Sequence, residues 1–525
     1  MSRSRQIAIN AVSQWTVTTV SAVLGLVLVP FLIAKLGQDG YGLIAVVLAI
    51  AGVCTLADLG ISGALGRQLA ESLARKDEGK YRELLSTALA LHLALGLIAS
   101  STVFLLAPQL ARSFGLPQSL YHIGVFLLKT YGAAHVLFTF LMPSAKAVLA
   151  SHNRFDKSSQ IDAVRRLCDA AGLFLVLAST NAGIVGWAVV CITTDVVSVV
   201  LLWRAAAKVH TGLRIGIAMI GSSGLRELFA LGCQFSVLQL SGQISTHANP
   251  FILTTCLGPA SVALYRPPTQ ILSVLYSVVM TVSGQLHPLA TKAHVEGDKR
   301  DLIAILSRGT KYTMLMGAVS CAILIPFAQP LCKIWLSKGL GDQYMVCTAV
   351  LTIQTITQLC AFAGGTQWAV LLGMKRTAFA AYARMVLALL NIVSSWILVK
   401  YTSLGVLGAV LPTMALELVW RPILALYVCR TVKMSFRAYL REAYCSPFLI
   451  ATVVTFIALG VRLVAPLETL WDLGRATGAL TAIAAILVWF GGLTPTDRIG
   501  LVNLTKSFLP HRYLVPQEIN QKTTL

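Results

Sequence analysis

Residues 30–42 read PFLIAKLGQDGYG, closing one long apolar run and opening the next. A related stretch returns about 220 residues later, where residues 250–258 read PFILTTCLG. Superposing Pro30 on Pro250 also brings Gln14 onto Gln234, Trp15 onto Phe235 and Ser21 onto Ser241. Three more echoes follow in order. EGKYRELL at 78–85 matches EGDKRDLI at 296–303, and AVL at 147–149 with Arg154 matches AVL at 369–371 with Arg376. Thr180 with GIVG at 183–186 matches Thr402 with GVLG at 405–408. Repeats in the same order at a nearly fixed offset mark a duplicated unit, here followed by a remainder.

Of the 525 residues 56% are hydrophobic and only 12% charged, with a mean hydropathy of +0.75. Soluble domains carry about 25% charged residues, so the chain is an all-α polytopic membrane protein. The eleven cysteines contain no Cys-x-x-Cys and read as small apolar residues, without a disulfide framework or a zinc site. The net charge of +21 is a matter of topology here, since cytoplasmic loops collect Lys and Arg, and nucleic acid is not an expected partner. The basic start with Arg3 and Arg5 leads into an apolar run too long for a cleaved signal, which reads as a retained first helix.

At about 20 apolar residues per crossing, the chain divides into about 14 transmembrane helices. Twelve form two six-helix lobes, at 1–225 and 226–445, and two additional helices span 446–493 before a polar cytoplasmic tail at 494–525. Because six is even, the lobes are parallel repeats about an axis along the membrane normal, a plan used by secondary transporters. With the N-terminus inside, roughly three quarters of the 42 Lys and Arg residues fall on the cytoplasmic side, placing both termini there. The outer loops are too short to fold as domains. The stretch 67–83 reads as an amphipathic segment along the inner surface.

Ionisable groups within spans cost about 2.5–3.5 kcal/mol on insertion scales, so each needs a reason. Asp195, deep in the sixth helix, falls on Glu417 of the twelfth. These acids either face a cavity, for cation coupling or to hold a basic substrate-binding group, or are neutralised locally; Glu417 has Arg421 one turn on. Lys129 and Arg266 read as a cationic lining for phosphate, or as side chains reaching the outer headgroups. Arg421 either lines the cavity or reaches the inner surface. Asp58 reads as a third coupling acid or a packing group, with Arg67 or Arg266 as partner. Gln14 and Gln234 face the cavity or bond between helices. His92, His135 and His247 lack ligand spacing and read as satisfied buried side chains. Pro30, Pro250, Pro326 and Pro412 fall in or near spans, where they can kink helices.

The run PFLIAKLGQDGYG, Asp58-Leu59-Gly60, Gly79-Lys80-Tyr81-Arg82 and the opening of the second half from Leu228 to Gln243 resemble the Wzx-type O-antigen flippases. These belong to the multidrug/oligosaccharidyl-lipid/polysaccharide exporter superfamily, and the resemblance covers essentially the whole chain. It implies two lobes around a cavity that opens alternately to each side of the bacterial cytoplasmic (inner) membrane. The implied substrate is an undecaprenyl-diphosphate-linked oligosaccharide for O-antigen, capsule or exopolysaccharide, its diphosphate in a cationic cavity and its tail in a groove of the two extra helices. It further implies no enzyme activity, no cofactor, H⁺ or Na⁺ coupling, a monomer among membrane lipids, and a polysaccharide polymerase and chain-length proteins as partners. The cavity arginines of the murein-precursor flippases have no match in the first helix. Two other readings stand: a multidrug/cation exporter of the same superfamily, and a membrane oligosaccharide polymerase, ligase or glycosyltransferase. The second needs a catalytic outer loop, and the only Glu-x-Asp, Glu296-Gly297-Asp298, falls inside.

Overall fold

The computed structural model describes residues 3–495 and 498, apart from 115, 117, 213, 214, 217 and 218. Side chains are described for these except at 3–12, 15, 119, 230, 231, 233–247, 282, 285 and 288. The side chains of Gln234 and His247, and nearly all of the expected tail, lie outside the described residues.

Among the described residues the chain is helical, with no strand. The first half comprises α1 (Arg3–Cys54), α2 (Ile61–Ala74), α3 (Glu78–Ser113), α4 (Gln118–Leu127), α5 (Ala133–Ser151), α6 (Phe155–Ser179) and α7 (Gly183–Val209). The second comprises α8 (Ser222–Leu257), α9 (Ala260–Val295), α10 (Lys299–Leu340), α11 (Tyr344–Gly373), α12 (Ala378–Tyr401) and α13 (Leu407–Val432). Then come α14 (Phe436–Ala443), α15 (Cys445–Val464) and α16 (Leu470–Leu487). Nine segments among the described residues are long and apolar enough to cross a membrane. Two are compound: Thr16–Asp58 and Lys299–Gly373 have 43 and 75 residues, well beyond a crossing of about 20. Gly37 (φ 74°) divides α1.

The backbone repeats as the sequence does. Left-handed residues recur at Gly37 and Gly258, Lys76 and Gly297, Asn153 and Lys375, and Gly183 and Gly405. The second of these pairs shifts one echo. Asp77 caps α3 by accepting from the Lys80 amide, and Asp298 caps α10 by accepting from the Arg300 and Asp301 amides. Asp77 therefore corresponds to Asp298, and Glu78 does not correspond to Glu296. The left-handed residue turns the chain and the aspartate satisfies the new helix's free amides, so local geometry outweighs letter identity.

One expectation is corrected. Hydropathy alone carries the second helix over 41–64, but the helix stops at Cys54, and after a 3₁₀ turn Leu59 (φ 49°) and Gly60 (φ 72°) redirect the chain into α2. The stretch 67–83 is two-faced: it holds the end of α2, where Gln68, Leu69 and Ser72 are buried and Arg67, Ala70 and Glu71 are exposed, followed by the turn into α3. The buried face of α2, with Ile61, Ala64 and Leu65, packs against α3, α5 and α8.

Core packing differs between the molecule's two ends. At the end carrying Gly37 and Gly258, one apolar cluster joins both halves, including Leu43, Ile44 and Val47 with Val262, Ala263, Leu336 and Leu351. A Cβ on Gly42 would strike the Pro259 carbonyl, and Trp335 Nε1 donates to the Leu26 carbonyl at 2.6 Å. At the end carrying Asp77 and Asp298 the halves have separate cores. One is built on Leu65, Leu84 and Val148, the other on Leu306, Val370 and Leu424. The start of α8 packs with the first half there, where Lys80 pairs with Glu227 at 3.0 Å and Glu83 accepts from the Gly224 amide at 2.9 Å.

The additional helices are anchored through a proline. Pro330 lacks the N–H that would bond the Pro326 carbonyl one turn back. Arg462 of α15 supplies the donor at 3.0 Å, and reaches Gln329 Oε1 at 2.5 Å. Pro30, Pro250 and Pro412 lie inside α1, α8 and α13.

Candidate functional site

The two matching acids both lie on their expected helices, and each meets an arginine from the preceding one. Asp195 on α7 is fully buried. Its Oδ1 is 2.7 Å from Arg165 Nη2 of α6, and its Oδ2 is 2.6 Å from His135 Nδ1 of α5. Arg165 also approaches Asp169 at 3.9 Å, and Thr194 Oγ1 donates to that second acid. His135 stacks on Tyr131 with ring centroids 5.1 Å apart. The first half therefore holds two acids, Asp195 and Asp169, beside Arg165 and His135, with Asp195 itself fully buried.

Glu417 on α13 sits differently. Its Oε1 accepts from Arg384 Nη1 of α12 and its Oε2 from Arg421 Nε, both at 2.6 Å, and its side chain is 15% exposed. Two guanidiniums on one carboxylate leave a net positive charge. Both arginines line a cavity of about 560 Å³ with Ser283 and His287 of α9, Gly365 and Trp368 of α11. This volume lies within the ~300–1,000 Å³ of ligand pockets. Each guanidinium carries five N–H donors in a rigid fork, so most of them remain free to face the cavity. Gly364 leaves room for the arrangement, because a Cβ there would meet the Arg421 guanidinium and the guanidinium would have to shift. Ser283 adds a buried hydroxyl with no hydrogen-bond partner among the described residues.

Arg421 thus lines a cavity and does not merely reach a surface. The remaining candidates are dispersed. Lys129 lies in the π-helical turn Leu128–Gly132, with Nζ 5.2 Å from the centroid of the exposed Phe104 ring. Arg266 is half-buried in the seam between halves, interacting electrostatically with Tyr41 and Tyr265. Neither joins the 560 Å³ cavity. Gln14 is exposed and accepts from Ser159 Oγ at 3.2 Å, bonding α1 to α6. Asp58 does not pair with Arg67 or Arg266. The turn at Leu59 and Gly60 aims it at α3, where Oδ1 meets His92 Nε2 at 2.9 Å and accepts from Ser62 Oγ at 2.8 Å; His92 Nδ1 in turn meets Ser144 Oγ at 2.7 Å.

Sequence reasoning missed Arg384 and Arg165. Both stand within a turn of the point where the apolar run begins, where hydropathy does not separate a span from a loop. In the structure α12 and α6 extend past them, starting at Ala378 and Phe155. The signal was available as a basic residue whose helix partner carries an unmatched acid.

An apolar groove of about 400 Å³ lies where α9, α10 and α16 meet, lined by Leu275, Ile323, Phe327, Leu473 and neighbours. It involves one of the two additional helices.

Comparison with known proteins agrees with this architecture. A curated relative, the uncharacterized membrane protein EpsK of Bacillus subtilis (strain 168), is 22% identical over 331 residues, covering 63% of this chain. The match spans 65% of that relative's length. Among solved structures, the lipid II flippase MurJ in an inward closed conformation is similar with a TM-score of 0.71 at 17% identity, covering 90% of this chain and 97% of that one. An inward-facing multidrug resistance MATE family transporter of the MOP superfamily gives 0.68 at 15% identity, covering 80% of this chain and 94% of that one. The chain therefore shares the fold of these two structures and is a multi-pass membrane protein. Residues 7–294, more than half of the chain, match the profile described as polysaccharide biosynthesis protein, and the chain belongs to that family.

Proposed function

We propose that the protein is a flippase that moves an undecaprenyl-diphosphate-linked oligosaccharide across the bacterial cytoplasmic membrane for surface polysaccharide synthesis. The observation that carries this reading is the positively charged cavity of Arg384 and Arg421, fixed by Glu417. The planar guanidinium fork pairs bidentately with phosphate oxygens, and buried sites strengthen such pairing. The groove at α9, α10 and α16 suits an isoprenoid tail, which stays in hydrocarbon while the headgroup crosses. Membership of the polysaccharide biosynthesis family supports the same substrate class, and a translocator of this kind performs no covalent chemistry.

In this reading the lobes are 1–225 and 226–445, with 446–493 as an added tail-binding unit. The separate cores at the Asp77 and Asp298 end are the parted, cytoplasmic side. The joined cluster around Gly42 and Pro259 is the closed, outer gate. Arg266 in that seam meets the diphosphate as the gate opens, and Lys129 serves the outer exit. Glu417 positions the two arginines. Asp195, with Asp169 and His135 beside it, is the ion-coupling group, with H⁺ or Na⁺ as the ion, and Asp58 is a helix-joining group. Both termini are cytoplasmic, the protein acts as a monomer, and a polymerase with chain-length proteins receives its product.

The test is a deletion strain. Loss of the gene is expected to accumulate undecaprenyl-diphosphate-linked glycan on the cytoplasmic face and to remove surface polysaccharide. Reintroducing the intact gene restores both, whereas Arg384→Ala with Arg421→Ala restores neither. A normal lipid-linked pool with altered drug sensitivity would overturn the proposal in favour of a drug exporter.

A further inference from the structure

A second basic pocket lies away from the arginine cavity and shares no residue with it. Its volume is about 720 Å³, and its lining includes Arg308 and Lys311 of α10, Arg441 and Glu442 of α14, and Leu449 and Ile450 of α15. Three cations face one acid. Among the described residues none of the three cations forms an ion pair, although other surface charges such as Arg75 and Arg475 do. Each is therefore available to an outside anion.

The walls are built firmly. Helix α14 reads FRAYLREA, and buries Tyr439 and Ala443 on one face, leaving Arg441 exposed on the other. The Tyr439 hydroxyl bonds Thr310 Oγ1 and Gln367 Nε2, each at 3.0 Å, tying α14 to α10 and α11. Ser446 Oγ donates to the Gly491 carbonyl at 3.1 Å, tying α15 to the π-helical turn Val488–Gly492 that ends the last helix. Beyond the cations the lining turns apolar at Leu449 and Ile450, and Phe448 and Leu449 are exposed on the same turn of α15. Basic groups at the start of an apolar helix, next to exposed large apolar side chains, sit at headgroup depth. All of this lies at the end of α10 that begins with Asp298, the side the charge distribution assigns to the cytoplasm.

We infer that this pocket binds a phosphate group, with Arg308 and Arg441 as forked donors and Lys311 as a point charge. The apolar flank points to the phosphate of an anionic membrane lipid as its source over free phosphate. Occupancy neutralises the cations and holds α14 and α15 against α10, so the headgroup acts as a clamp on the additional helices.

Purified full-length protein in detergent tests this. Phosphatidylglycerol, phosphatidylcholine and inorganic phosphate are titrated separately while the thermal midpoint is followed. Phosphatidylglycerol is expected to raise the midpoint by several degrees and phosphatidylcholine not to. The variant carrying Arg308→Gln, Lys311→Gln and Arg441→Gln is expected to lose at least half of that shift. A shift with inorganic phosphate alone, lost in the same variant, upholds the phosphate site and assigns it to a soluble anion. An equal phosphatidylglycerol shift in wild type and variant, or no shift with either phosphatidylglycerol or inorganic phosphate, overturns the inference. If the triple variant does not fold, Lys311→Gln alone is expected to weaken the phosphatidylglycerol response two-fold or more, and an unchanged response overturns the inference.

Discussion

The two halves place an acid at the same repeat position and use it in opposite ways. In the first half Asp195 is fully buried and joins Asp169, and the two acids are balanced by Arg165 and the nearby Arg166. In the second half Glu417 is partly open and is outnumbered by Arg384 and Arg421 at a cavity wall. The repeat kept the problem, an acid inside a span, and each half solved it with an arginine from the preceding helix. The balance differs. Only the second half has a surplus of guanidinium, which suits a phosphate.

The largest effect expected on stability is at Asp195. Removing one partner of a buried charge pair costs about 3–5 kcal/mol, so Asp195→Ala should sharply lower the thermal midpoint of purified protein. Asp195→Asn keeps the shape and its hydrogen-bonding capacity but not the charge that faces Arg165, so it should lose less than Asp195→Ala without being neutral. If Asp195→Asn also transports normally, Asp195 is structural and the coupling assignment falls.

Transport carries the next effect. Arg384→Ala with Arg421→Ala should reduce restoration of surface polysaccharide at least ten-fold, equivalent to about 1.4 kcal/mol of lost binding. The double variant leaves Glu417 without either partner, so Glu417→Gln is added to remove that charge, and this triple variant should lose far less stability than Asp195→Ala. A collapse in stability of the triple variant matching that of Asp195→Ala would break the contrast between the halves.

Gly364→Ala probes the same wall without touching a charge. The added methyl must displace the Arg421 guanidinium, so transport should drop several-fold while net charge is unchanged. Full activity would mean that the position of Arg421 is not important.

The smallest effect concerns a loop between halves of the first repeat. His152 meets His210, with Nε2 3.2 Å from Nδ1. Burial, and then the neighbouring His210, hold the His152 pKa below the ordinary histidine value. A base with a depressed folded pKa costs stability as pH falls from about 6.5 through the folded value, because the unfolded chain takes up the proton first. Thermal midpoints measured from pH 7.5 to 5 should therefore decline, and less steeply in His152→Gln. An identical slope in the variant would assign the decline to other groups.

How much was legible in the sequence follows from the range of each force. The membrane class, the helical architecture and the internal repeat come from composition and periodicity, since a bilayer forces backbone groups to bond within each segment. The location of Asp195 and Glu417 on paired helices was legible too, because the cost of a buried acid makes it conspicuous in an apolar run. Their partners were not. Arg165 and Arg384 stand at helix ends whose bounds a hydropathy window cannot fix, and His135 gave no spacing signal. The turn at Leu59 and Gly60, which turns Asp58 away from Arg67 and toward His92, depended on a left-handed non-glycine residue that no pattern marks.

By itself, then, the amino-acid sequence determined what kind of solvent this chain lives in and that its two halves share one plan. Tertiary structure alone decided which charges meet, which end of the molecule joins the halves, and that the two arginines of the second acid line a cavity. Burial in a membrane is a property of a segment and can be summed along the chain, whereas ion pairing and cavity formation depend on side chains from three or four helices meeting within a few ångströms.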